Sequence, residues 1–294
     1  TDTELDEATY EAAEKQYLDN NTAKAIDLFN GYIARFSAGK YLFKAHFYLA
    51  ELYYKSELSE NALPHYTFVC EQSTNEFTEP ALLKASEITL ASQTFETALP
   101  LLSRLELESK SPQNRLYALS NLMKTYFQLE DYDAAIRYSE RILDNSKTDT
   151  YIKSDAHIII ARAAMKTNNE TKARAAYAQV KTIATGEMGA EAQYFEAYFK
   201  YLDGTHETSN ESVQELIKKF SSYKYYASKG LIIMAKNFLA LDDVFQATYI
   251  LENVIQNFTE FPEITAEAQV ELDRIKTEAA KTNASIEVDS ENEN

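Results

Sequence analysis

Three columns of small side chains recur along this chain at a nearly fixed step, and few folds accommodate such a pattern. One column is Ala25, Ala62, Ala98, Ala135, Ala173, Ser209 and Ala247, with separations of 37, 36, 37, 38, 36 and 38 residues. Twelve residues before each member stands Ala13, Ala50, Ser86, Met123, Ala161, Ala197 and Ala235, with Met123 the one large exception. Five residues earlier again stands Ala8, Ala45, Ala81, Ala118, Ala156, Ala192 and Gly230. A small side chain on a helix lets a second backbone approach closely. Three such columns held in step therefore mark one helix-to-helix contact built seven times.

Between the columns each copy holds two amphipathic segments with a period near 3.6 residues. Capping residues punctuate the turn inside the copies: Asn21-Thr22, Ser59, Thr94, Asp131, Asn169 and Asp242-Asp243. Breakers separate the copies, at Ser37-Ala38-Gly39, Thr78-Glu79-Pro80, Lys110-Ser111-Pro112, Gly186 to Gly189 and Glu260-Phe261-Pro262. Only 6 Gly and 5 Pro occur in 294 residues, as expected of a chain made of helices with short connections. The sixth copy is the most degenerate, and its polar stretch Asp203 to Asn210 is expected to delay its second helix.

The second copy carries Leu49, Ala50, Tyr53, Ala62 and Tyr66 at spacings that resemble the tetratricopeptide repeat. The fourth copy matches through Leu122, Tyr126 and Ala135, and the first through Ala25 and Phe29. The signature Trp of that family is absent, with His46 in its place in the second copy, and its closing proline is missing. The step also exceeds the usual ~34 residues. With its longer copies and an Ala early in the first helix, the chain resembles the repeats of bacterial cell-envelope assembly factors and of Bacteroidetes tetratricopeptide proteins. The resemblance implies an all-α, right-handed α-α superhelix of about seven helix pairs. The repeats are expected near 6–37, 41–74, 79–110, 112–147, 150–185, 187–221 and 224–259. A capping helix is expected over 263–282, where Ile264, Ala268, Leu272 and Ile275 form one apolar stripe. A disordered acidic tail is expected at 283–294. The first helix is polar without the one-sided face of a cap, which leaves open further repeats before it.

The formal charge is −17, but residues 1–14 hold six acids and no base, and residues 283–294 four acids and no base. Without those ends 36 acids face 29 bases, so the body is mildly acidic and lacks the basic stripe of a nucleic-acid binder. One cysteine, Cys70, cannot found a disulfide framework and reads as a small buried hydrophobe. No apolar run is long enough to span a membrane. The four histidines, His46, His65, His157 and His206, read as separate packing or surface residues; only the loose His65/Cys70 pair has any metal-ligand spacing. No phosphate loop, serine elbow or HExxH motif is present. The chain is expected to need no metal or cofactor and not to be an enzyme.

In the repeats that the chain resembles, the first helix of each copy lines the concave surface. Two positions seven apart would then form a ladder: Tyr10/Tyr17, Phe47/Tyr54, Leu83/Leu90, Ser120/Phe127, Ile158/Met165, Tyr194/Tyr201 and Ile232/Leu239. Between them a position changes sign, from Glu14, Glu51 and Glu87 to Lys124, Arg162, Tyr198 and Lys236. Alternatively the ladder is core and the charges are ordinary surface. The partner-binding set expected on the concave face is Tyr10, Tyr17, Phe47, Glu51, Tyr54, Glu87, Lys124, Phe127, Arg162, Tyr194, Tyr201 and Lys236. Two functions fit: a scaffold holding a protein partner, with the bacterial periplasm or outer-membrane periphery as its expected location, or a peptide-binding regulatory or sensor module of a larger protein.

Overall fold

A computed structural model describes residues 2–292, and the side chains of 3–281. Among the described residues there are fifteen helices and no strand. They divide into two units, Thr1–Thr148 and Asp149–Asn294. The first unit holds α1 (Asp2–Leu18), α2 (Thr22–Arg35), α3 (Leu42–Lys55), α4 (Ser59–Glu71), α5 (Thr78–Ala91), α6 (Phe95–Glu108), α7 (Pro112–Gln128) and α8 (Tyr132–Leu143). The second holds α9 (Thr150–Lys166), α10 (Glu170–Ile183), α11 (Gly186–Leu202), α12 (His206–Lys219), α13 (Lys224–Ala240), α14 (Val244–Asn257) and α15 (Pro262–Asn292). Within each unit the helices pack as successive antiparallel pairs, each pair on the next, in a helix-pair solenoid arrangement.

The backbone repeats as regularly as the small residues. Asn20, Glu57, Gln93, Glu130, Asn168 and Asp242 have φ between +55° and +62°, and Gly204 has φ +72°. Each lies five residues before a member of the first small column. In every copy this left-handed residue ends the first helix, and the next amide reaches back to a carbonyl five residues earlier. Asn21 N–H donates to Gln16 O at 2.8 Å, Leu58 to Tyr53 at 2.9 Å and Asp243 to Phe238 at 2.8 Å. This is the hydrogen bond of a Schellman ending. Six of the seven left-handed positions lack glycine, so each carries a Cβ penalty that the surrounding contacts must offset.

The residue after the left-handed one is the N-cap position of the second helix, and in three copies its side chain caps. Asp131, Asn169 and Asp243 accept from the amides of Ala134, Lys172 and Gln246. In the second copy the capping position is Leu58, and Ser59 is already the first helical residue, which corrects the assignment of Ser59 as a cap. The expected delay in the sixth copy is likewise absent. Helix α12 starts two residues after Gly204, in the same register as the other second helices.

All three small columns are buried, except Ala8 on α1. Four and seven residues after the small residue of the second helix, larger groups fill the core in the first three copies. These are Phe29 and Tyr32, Tyr66 and Val69, and Leu102 and Leu105, all fully buried. Each such side chain contributes about 1.5–3 kcal/mol. Helix α15 packs Ile264, Ala268, Leu272 and Ile275 inward, with Ala268 in step with Gly230. Val270, in step with the buried Ile232, is 68% exposed, because no further helix covers that side among the described residues. The acidic tail expected at 283–294 lies outside the residues whose side chains are described.

Candidate functional site

The two ladder columns have different fates. Tyr10, Phe47, Ile158, Tyr194 and Ile232 are buried, while Leu83 and Ser120 are half-buried. Seven residues on, Tyr17, Tyr54, Leu90, Phe127, Met165, Tyr201 and Leu239 are all half-buried. Tyr10, Phe47 and Tyr194 are therefore core residues, which corrects their assignment to a partner-binding surface. Their rings are taken up by neighbouring helices. Tyr10 stacks on Tyr41 at 4.5 Å, Phe47 meets Phe77 at 4.7 Å, and Tyr194 lies 6.2 Å from Tyr226 on α13.

The charged position between the columns is largely committed within the chain. Glu14 accepts from the Tyr10 hydroxyl at 2.7 Å and Glu51 from Tyr66 at 2.5 Å. Glu87 accepts from Tyr54 at 3.1 Å and from Lys84 at 2.8 Å, and Lys84 also lies over the Tyr54 ring. Arg162 grips Glu191 with two nitrogens, and Lys236 pairs with Glu267 at 2.9 Å and Glu271 at 3.6 Å. Lys124 is exposed. The expected groove of unspent charge is thus, at Arg162 and Lys236, a set of ties between successive first helices.

Glu191 is the strongest of these ties, and sequence reasoning missed it. It is buried, and accepts from Arg162, from Tyr177 at 2.8 Å and from Tyr226 at 2.7 Å, joining α9, α10, α11 and α13. Burial alone would raise its carboxyl, but the Arg162 guanidinium and the two hydroxyls hold it below the usual carboxylate range. Removing one partner of such a pair strands a buried charge.

In the second unit, Tyr201 and Lys236 meet in a cleft of about 790 Å³ at the turn ends of the first helices. Leu239, His206, Val244, Glu271 and Arg274 are among the residues of its walls. Behind His206 lies a polar network in the core. The imidazole Nδ1 is 2.9 Å from Asn237 Oδ1, and Asn237 Nδ2 donates to Ser209 Oγ and Asn210 Oδ1 at 2.8 and 2.9 Å. Asn237 is fully buried at a position held by Lys15, Leu52, Ile88, Thr125, Ala163 and Phe199 in the other copies. The polar residues of the sixth copy satisfy one another instead of displacing its helix. The signal was present: Ser209 is the only hydroxyl in its small column.

The histidines are not four separate residues. His46 on α3 and His65 on α4 bring their Nδ1 atoms to 2.8 Å, with His46 stacked on Phe68 at 3.8 Å. Burial, with the charge that His65 would carry, pushes His46 down to about 4. Burial pushes the Cys70 thiol up to about 12, which makes it a poor nucleophile. Among the described residues no three His, Cys, Asp or Glu gather as metal ligands, and no helix is long and apolar enough to cross a membrane.

No protein-family model and no curated protein matches the chain. Solved structures do. The C-terminal part of a tetratricopeptide repeat-containing protein from Cytophaga hutchinsonii is 15% identical, with 87% of this chain and 97% of that one covered and a TM-score of 0.58. A signal-transduction ATPase from Pyrococcus horikoshii with a tetratricopeptide repeat sensor is 16% identical, with 93% of this chain and 46% of that one covered and a TM-score of 0.51. With seven helix pairs in register and these likenesses over most of its length, the chain has the fold of the tetratricopeptide repeat proteins.

Proposed function

We propose that the chain is a non-enzymatic scaffold that binds a segment of a partner protein along the face of its first helices. That face is the concave one in the repeats it resembles. The observation that carries this reading is the column Tyr17, Tyr54, Leu90, Phe127, Met165, Tyr201 and Leu239, apolar or aromatic yet half-exposed in every copy. A packed core does not need seven such groups at its edge, and rigid aromatics are common anchors of interfaces. Two of the anchors, Tyr54 and Tyr201, lie beside ion pairs, so a partner would exchange some of those ties for its own. Affinity capture with Tyr54→Ala, Phe127→Ala and Tyr201→Ala tests the reading. Loss of capture with unchanged melting supports it. Full capture by all three, with loss only on altering second helices, overturns it.

A second reading has one observation in its favour. The Pyrococcus horikoshii protein carries its repeats as a sensor, and this chain spans less than half of it. Under that reading the same face takes a peptide and another part of a larger protein responds. The finer placement at a bacterial envelope rests on the resemblance of its long repeats, with an early Ala, to those of envelope assembly factors, and cell fractionation of the source organism tests it.

A further inference from the structure

The seven copies act as controls for one another, and the outward side of α14 departs from the other six. The positions two before and two after the small residue near the start of each second helix face solvent in every copy. They hold Glu60 and Pro64, Glu96 and Pro100, and Asp133 and Arg137 in three copies, and only Asp, Glu, Thr or Ala in three more. In the seventh they are Phe245 and Tyr249, 78% and 61% exposed. Residues four apart on a helix stand one above the other, so the two rings form a ridge. Leu241, four residues before Phe245, extends it and is also exposed. The fold does not require these rings, because six copies form without them.

We infer that this ridge is a self-association surface, on which two copies of the chain pair α14 against α14 about a two-fold axis. Charge selects the occupant. Chains of net charge −17 repel one another and can meet only where charge is sparse. Helix α14 has one charged residue, Glu252, in fourteen, and the other charges beside the ridge are Asp242 and Asp243 at its start. It offers no cations to an anionic bilayer, which an interfacial helix requires, and little charge for a partner chosen by electrostatics. Two rings so exposed offer on the order of 300 Å² of apolar surface per copy. With Leu241, a symmetric pair buries on the order of 750 Å², the size of a weak, transient contact. A self-complementary patch is what a two-fold contact needs.

Sedimentation of the full chain from micromolar to millimolar concentration tests this. The variant is Phe245→Glu with Tyr249→Glu, which reproduces the pair Glu207 and Glu211 that the sixth copy carries at these positions and folds with. The wild-type chain should move from its 33.5 kDa mass toward twice that value as concentration rises. The variant should keep the single-chain mass throughout, with an unchanged thermal melt and association at least ~100-fold weaker. A wild-type chain that stays monomeric over the range overturns the inference. So does a dimer that persists in the variant, or a monomer that binds another protein or neutral vesicles through these residues.

Discussion

Phe47 and Tyr54 lie two turns apart on the same face of α3, yet one belongs to the core and the other does not. Phe47 is closed in by Phe77 and Tyr66 from the adjoining helices. Tyr54 has its ring half-exposed, its hydroxyl on Glu87 and Lys84 over its face. In the second unit Tyr194 and Tyr201 repeat the contrast. Hydrophobicity does not separate the members of each pair, since both are aromatic. What separates them is depth: the middle of a first helix meets the start of the next pair, whereas its last turn opens toward the loop inside the copy. A half-exposed aromatic that the fold does not need is free to serve binding.

That contrast should be largest in stability. Phe47→Ala should cost about 3–5 kcal/mol, through a cavity that neighbouring rings cannot fill. Phe127→Ala, on the half-exposed column, should cost about 1 kcal/mol or less and act on partner capture instead. Thermal and denaturant melts of the two variants measure this, and equal costs would remove the distinction between the columns. Next in size is Ala118→Leu. Ala118 sits fully buried where α7 meets its neighbours, and overpacking there should cost about 1–3 kcal/mol.

A pH titration sharpens the comparison at its buried side. The folded value of His46, about 4, lies below its ordinary 6.5, so the unfolded chain binds more protons between the two. The stability from keeping His46 neutral is therefore complete above about pH 6.5 and is lost as pH falls toward about 4. His46 is partly open to solvent, so after screening the loss is on the order of 1 kcal/mol. His46→Phe, which keeps the stack on Phe68, should flatten the melting temperature over that window. The smallest effect is a gain. Glu130 holds φ +60° at the end of α7, and Glu130→Gly should add about 0.5–1 kcal/mol without touching either column. A matched loss there would mean that the Glu130 side chain makes a contact worth more than its backbone strain.

The architecture was legible in the sequence because it is written in volume. A backbone contact tolerates only a small residue, so Ala25, Ala62 and Ala98 announce themselves at a step of about 37. The interior of the site was not. A period of 3.6 marks an apolar stripe but not how deep each member of it sits, so Tyr194 and Tyr201 looked alike. The charged column was misleading for a related reason. Arg162 and Glu191 are 29 residues apart, and no local pattern says that a cation on one first helix will find an acid on the next. The pairing of His46 with His65 depends likewise on how α3 crosses α4. The Asn237 network could have been suspected from Ser209, where one hydroxyl interrupts a column of alanines.

The account rests on the half-exposed column being the face that a partner touches, and photo-crosslinking tests this most directly. A benzophenone side chain placed singly at positions 54, 127 and 201 would be compared with the same group at 60, 133 and 211 on the outward second helices. The account predicts that one partner is captured from the first three positions and not from the other three. Capture from 60, 133 or 211, with none from 54, 127 and 201, would contradict it.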